Sequence, residues 1–150
     1  MRPLIIGNWK MHLTSREAAD LARTLVPKLS HRTDREIALA PSFTALPAVR
    51  EVIATSPIRL AAQDLFWEGE GSFTGEVSPS MLQELGVTYA LVGHSERREH
   101  LGETDQMVNR KVLAALRGDL RPVVCVGERE TARASGRAAS VVRAQVQHAL

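Results

Sequence analysis

Residues 89–98 read Tyr-Ala-Leu-Val-Gly-His-Ser-Glu-Arg-Arg, a short apolar run that breaks at Gly93 into a histidine followed by charge. Residues 4–10, Leu-Ile-Ile-Gly-Asn-Trp-Lys, repeat the pattern near the amino terminus. Each has the form of a buried parallel strand ending in polar groups, and β/α proteins place their chemistry at the carboxyl ends of such strands. The spacing predicts strands at 4–9, 37–40, 59–63, 89–92 and 123–126. All are short and mostly apolar on both faces, as in a sheet covered by helices.

Helical patterns fill the intervals. Thr14 and Glu17 have capping-box spacing, and Ala18, Leu21, Ala22, Leu25, Val26 and Leu29 then recur at helical intervals on one face. Pro27 is expected to kink or shorten the last turn. Ser78 and Pro79 open a second helix that stops at Gly86, a third runs over about 105–116, and a fourth over 137–150. The order is five β/α units without a linker or an internal repeat, expected to form one domain over 1–150. Two architectures fit: an open, doubly wound sheet of the flavodoxin type, or about five units of an eight-unit barrel.

Bulk properties exclude several classes. With 19 basic and 17 acidic residues in 150, the net charge is +2, too small to imply nucleic acid as a partner. The single cysteine, Cys125, forbids an internal disulfide and suits a reducing compartment. No apolar stretch approaches the roughly 20 residues needed to span a bilayer. A cytoplasmic location, with no membrane association, is expected.

The motifs are similar to those of the triosephosphate isomerases along the whole chain. Gly7-Asn8-Trp9-Lys10-Met11 resembles the family's first strand and its substrate-contacting end. Ala62-Gln63-Asp64 resembles the end of the third, with Asp64 where many members carry Asn. Gly71-Ser72-Phe73-Thr74-Gly75-Glu76 is similar to the long third loop through which members dimerise. Val92-Gly93-His94-Ser95-Glu96-Arg97-Arg98 is the most distinctive match. Val124-Cys125-Val126-Gly127-Glu128 resembles the fifth strand, although Arg129-Glu130-Thr131 departs from the Thr that usually follows that Glu.

The resemblance implies a partial TIM (β/α)8 barrel and the interconversion of dihydroxyacetone phosphate and glyceraldehyde 3-phosphate through an enediolate, a step of glycolysis and gluconeogenesis. It implies His94 and Lys10 as catalytic residues, Asn8 and Lys10 as substrate-binding residues, and Ser95 and Glu96 as their support. Phe73, Thr74 and Gly75 would form a homodimer interface, Thr74 inserting beside the neighbour's Asn8 and Lys10. No metal or cofactor is expected.

The residues themselves suit these roles. His94 ends a strand and precedes a turn and helix start whose amides favour a neutral imidazole. Asn8 and Lys10, two apart on a strand, are expected on one side above Leu4 and Ile6, placing an amide and an ammonium over an apolar floor. The resemblance implies that Glu96 pairs with Lys10 or a neighbouring arginine and so orients the cation. Arg97 and Arg98 read as structural or interface ions, and Cys125 as a small core residue midway along its strand. The arginines at 129, 133, 137 and 143 read as a solvated helix face.

The resemblance reaches only the amino-terminal portion of the family's sequence. The glutamate that abstracts the substrate proton, the lid and two glycine-rich phosphate loops have no counterpart in these 150 residues. The isolated chain is therefore expected to be inactive or nearly so, and to be completed by a complementary carboxyl-terminal half chain. The competing expectation is a non-catalytic half-barrel that covers its open sheet edges by self-association.

Overall fold

The structure, a computed structural model, describes residues 2–150. Strands β1 (Leu4–Asn8), β2 (Glu36–Ala40), β3 (Arg59–Ala62), β4 (Val87–Val92) and β5 (Arg121–Val124) pair in parallel in the order β1-β2-β3-β4-β5. Every crossover moves one strand in the same direction, which makes a curled partial barrel. A doubly wound sheet must reverse direction at its switch point, so the flavodoxin-type alternative is excluded.

Register sorts the side chains onto two faces. Ile6 lies beside Ala38 and Asn8 beside Ala40. Ile6, Ala38, Ala40, Ala61, Tyr89, Leu91 and Val123 pack as the concave, barrel-interior face. The alternate residues Leu39, Leu60, Ala62 and Ala90 form the convex face, buried against the helices. Small residues on both faces let five strands curl tightly without voids.

Helices α1 (Ser15–Leu29), α2 (Leu46–Ile53), α3 (Pro79–Glu84), α4 (Ser95–His100), α5 (Asp105–Arg117), α6 (Glu130–Ala134) and α7 (Ala138–Ala149) follow the strands. The Thr14 capping box forms: Thr14 N–H donates to the Glu17 carboxylate at 2.8 Å, and Glu17 N–H donates to Thr14 Oγ1. Ala18 and Ala22 then bring α1 close against the sheet. Pro27 does not shorten α1, which runs on to Leu29. A second cluster joins Val92 and Val124 to Val108 and Val112 of α5 and Ala149 of α7.

Every strand departs from its expected bounds by one or two residues, and at β1 and β5 the departure moves residues of interest. β1 stops at Asn8, because Lys10 turns into the left-handed backbone region with φ 54°. The alternation argument for Asn8 and Lys10 therefore fails, since Lys10 is not on the strand. β5 begins and ends two residues early, through Pro122. Proline removes one donor, which is tolerated on a strand at the end of the order. Cys125 accordingly follows the strand, half-buried, although its N–H still donates to Val92 O at 2.8 Å.

Candidate active site

The carboxyl ends of β1 and β4 bring the first-choice residues together. Lys10 N–H donates to Asn8 Oδ1 at 2.9 Å, and Lys10 Nζ reaches across to Glu96 Oε1 at 2.6 Å. Glu96 is the second residue of α4, which starts directly after His94. The Lys10 hydrogen bond holds the Glu96 carboxyl below its ordinary range, so Glu96 stays an anion committed to that ammonium.

His94 caps α4. Its Nδ1 lies 3.3 Å from the Glu96 N–H and 3.4 Å from Glu96 Oε2. An amide N–H can only donate, so Nδ1 accepts and the ring proton sits on Nε2. In that tautomer the carboxylate contact is not a hydrogen bond. Nε2–H of His94 and the side-chain NH2 of Asn8 donate to no protein group among the described residues. Two neutral donors and one ammonium are thus available around the mouth of the barrel, a set suited to an oxyanion and a phosphate. Ser95, exposed at the first position of α4, faces an open cleft of about 790 Å³ instead, together with Arg98, Glu128 and Gln145.

Gly93 fixes the approach to His94. Its φ of 76° suits glycine, its N–H donates to Glu103 Oε1 at 2.9 Å, and its carbonyl accepts from Arg98 Nε at 2.8 Å. Glu103 belongs to a buried ion cluster. Lys111 Nζ lies 2.7 Å from Asp64 and 2.8 Å from Glu103, and Arg97 contacts Asp64 at 2.8 Å and Glu103 at 2.7 Å. Burial pushes both carboxyls upward. At Asp64 burial prevails over Lys111 and Arg97 and carries the pKa to about 6. At Glu103 the hydrogen bonds from the same two cations prevail and hold it below its ordinary value. Arg97 and Arg98 are therefore structural ions in this chain.

Sequence reasoning missed Lys111 and Glu103 entirely, and took Gln63 and Asp64 only as strand-end markers. Lys111 left one signal: it sits at helical spacing among Val108, Val112 and Ala115, on the buried face of α5. A lysine on an apolar stripe implies a buried counter-ion. Gln63 Nε2 donates to Lys10 O at 2.9 Å and to Ala40 O at 2.8 Å, tying three strand ends together.

Phe73, Thr74 and Gly75 lie far along a loop whose base is closed by Phe66 N–H donating to Val77 O at 2.8 Å. All three are exposed, and the Phe73 ring packs at a tilt against Phe66, which packs at a tilt against Trp67. Arg129, Arg133, Arg137 and Arg143 are exposed.

A sequence model described as triosephosphate isomerase matches residues 3–150. A triosephosphate isomerase of Chloroflexus aurantiacus is 53% identical over 148 residues, covering 99% of this chain and 59% of the relative. One from a Thermoanaerobacter species is 50% identical over 149 residues and is 60% covered. The crystal structure of triosephosphate isomerase from Bartonella henselae superposes on the whole chain with a TM-score of 0.94 at 33% identity, 62% of that structure being covered. The chain spans about three-fifths of the length of these relatives.

Proposed function

The chain belongs to the triosephosphate isomerase family, and on that premise we propose that its single five-unit domain carries the oxyanion- and phosphate-holding half of a triose-phosphate isomerase site. The observation that supports this reading is the link Asn8–Lys10–Glu96–His94, which joins strand ends that lie three positions apart in the sheet. The neutral His94 donates from Nε2 to the substrate oxygen on which charge develops, and Asn8 donates beside it. Lys10 contributes the positive charge for the phosphate, held in place by Glu96.

Removal of the carbon-bound proton needs a separate carboxylate. Glu96 is engaged with Lys10 at 2.6 Å, and that hydrogen bond lowers its pKa, which makes it a poorer base. In this reading the base lies on the portion of the relatives' length that these 150 residues do not span. The substrate is a triose phosphate, and the loop carrying Phe73, Thr74 and Gly75 meets a second copy in a homodimer. The fold has no helix long and apolar enough to cross a membrane among the described residues, and we assign the protein to the cytoplasm.

A coupled assay tests this. The chain alone is expected to isomerise dihydroxyacetone phosphate no faster than buffer. Mixed with a polypeptide comprising the unmatched portion of the Chloroflexus relative, it is expected to turn over. His94→Gln and Lys10→Met should each remove that turnover. Full turnover by the chain alone contradicts the reading, and so does persistence of activity in His94→Gln.

The second reading, a non-catalytic self-associating half-barrel, draws on one observation. Ile5 on β1 and Val126 just past β5 are exposed at opposite edges of the sheet. A defined oligomer in solution that the added polypeptide neither dissociates nor activates favours it.

A further inference from the structure

We propose that Gln63 is a positioning residue for Lys10, holding it in the one backbone conformation from which its ammonium reaches Glu96. Lys10 has φ 54°, a left-handed conformation that a lysine adopts only when its surroundings impose it. Two polar contacts fix its peptide groups. Asn8 Oδ1 accepts from its N–H at 2.9 Å, and Gln63 Nε2 donates to its carbonyl at 2.9 Å.

The Gln63 amide has two hydrogens and both are used. The second goes to Ala40 O at 2.8 Å, a carbonyl that also accepts from Trp9 N–H at 3.0 Å. Both partners are carbonyls, so the nitrogen of the amide must face them, and no flipped orientation satisfies the pair. Gln63 itself follows β3, two strands away from Lys10 in the sheet. Its reference frame is therefore the ladder, independent of the turn it restrains. Without this donor the Lys10 carbonyl keeps no protein partner among the described residues, and nothing beyond Asn8 opposes relaxation of Lys10 to an extended backbone. The side chain then leaves the barrel mouth. A purely structural role, joining β3 to β2, would be served by the Ala40 bond alone and would leave the Lys10–Glu96 pair intact.

The test uses the 150-residue chain labelled uniformly with 15N and 13C. In the unaltered chain, couplings through hydrogen bonds are expected from Gln63 Nε2 to the carbonyl carbons of Lys10 and Ala40. Their absence overturns the proposal without any variant. The Lys10 15Nζ resonance, assigned through Lys10→Arg, then reports the ion pair. Glu96→Gln should displace it in the parent chain and leave it unmoved in a Gln63→Met background, where the pair is already lost. Gln63→Glu, which keeps the shape but offers two acceptors to two carbonyls, should behave as Gln63→Met does. Intact β2 amide resonances identify the variants that remain folded. An equal displacement by Glu96→Gln in the parent and in a folded Gln63 variant overturns the proposal.

A second arm rests on the reading that Lys10 meets a phosphate, and uses inorganic phosphate as probe. Phosphate should move the Lys10 resonance in the parent, and this response should be lost in Gln63→Met. If phosphate moves it in neither, the phosphate reading fails while the Glu96 cycle still decides the role of Gln63.

Discussion

At the scale of single residues, Asp64 is the informative position. It is buried between Lys111 and Arg97, yet burial outweighs both cations and raises its pKa from 3.8 to about 6. Between those two values the folded chain retains a proton that the unfolded chain has released. The contribution of Asp64 to stability is therefore complete below about 3.8 and is lost as the pH rises through about 6, by about 3 kcal/mol at most. Asp64→Asn removes this dependence while keeping an acceptor for Lys111. Its stability relative to the parent is expected to rise between pH 4 and pH 7, read from urea unfolding at both. Glu103 is shifted in the opposite direction and shares Lys111 and Arg97 with Asp64, so the same comparison in a Glu103→Gln background separates the two titrations. A variant that loses ground as the pH rises would show that the ion pairs outweigh burial. Asn8, Lys10 and His94 were legible in the sequence because they interrupt apolar runs in recognisable motifs. The Asp64–Lys111 pair was not, because it joins residues 47 positions apart by burial alone, which no local pattern encodes.

At the scale of elements, Gly93 couples β4 to α4. A Cβ built there would lie 3.1 Å from Arg98 Nη2, from Cys125 O and from Val108 Cγ2, on a backbone of φ 76°. Gly93→Ala is expected to destabilise by about 1–3 kcal/mol through strain and overpacking together. It should also perturb the His94 ring resonances, because both peptide groups of Gly93 are gripped by Glu103 and Arg98. Unchanged stability in denaturant would show that the turn relaxes freely. Helix starts such as Thr14–Glu17 and Ser78–Pro79 could be read directly, since capping chemistry is local. The ends of β1 and β5 could not. Lys10 is taken off the strand by partners on β1 and after β3, and β5 starts ahead of its β-branched run, at Arg121-Pro122, because the last strand of the sheet accommodates a proline. Cys125 illustrates the same displacement: burial raises its thiol pKa, but it sits beyond the strand and only half inside.

At the scale of the whole molecule, the five strands in chain order follow from the alternation of apolar runs and helices once the flavodoxin-type order is excluded. What brings the candidate residues together is the curl. It brings the end of β1 within one side chain's reach of the start of α4, so that Lys10 and Glu96, 86 residues apart, meet at 2.6 Å. A rival basic surface exists on the exposed arginines of α6, α7 and the turns before them, where Arg137 and Arg143 line a shallow hollow with Ser140. The most direct measurement is a titration of dihydroxyacetone phosphate into the isotope-labelled chain, following every resonance. Asn8, Lys10 and His94 are expected to move together with a single affinity. Shifts confined to Arg137, Ser140 and Arg143, with those three silent, would contradict the account.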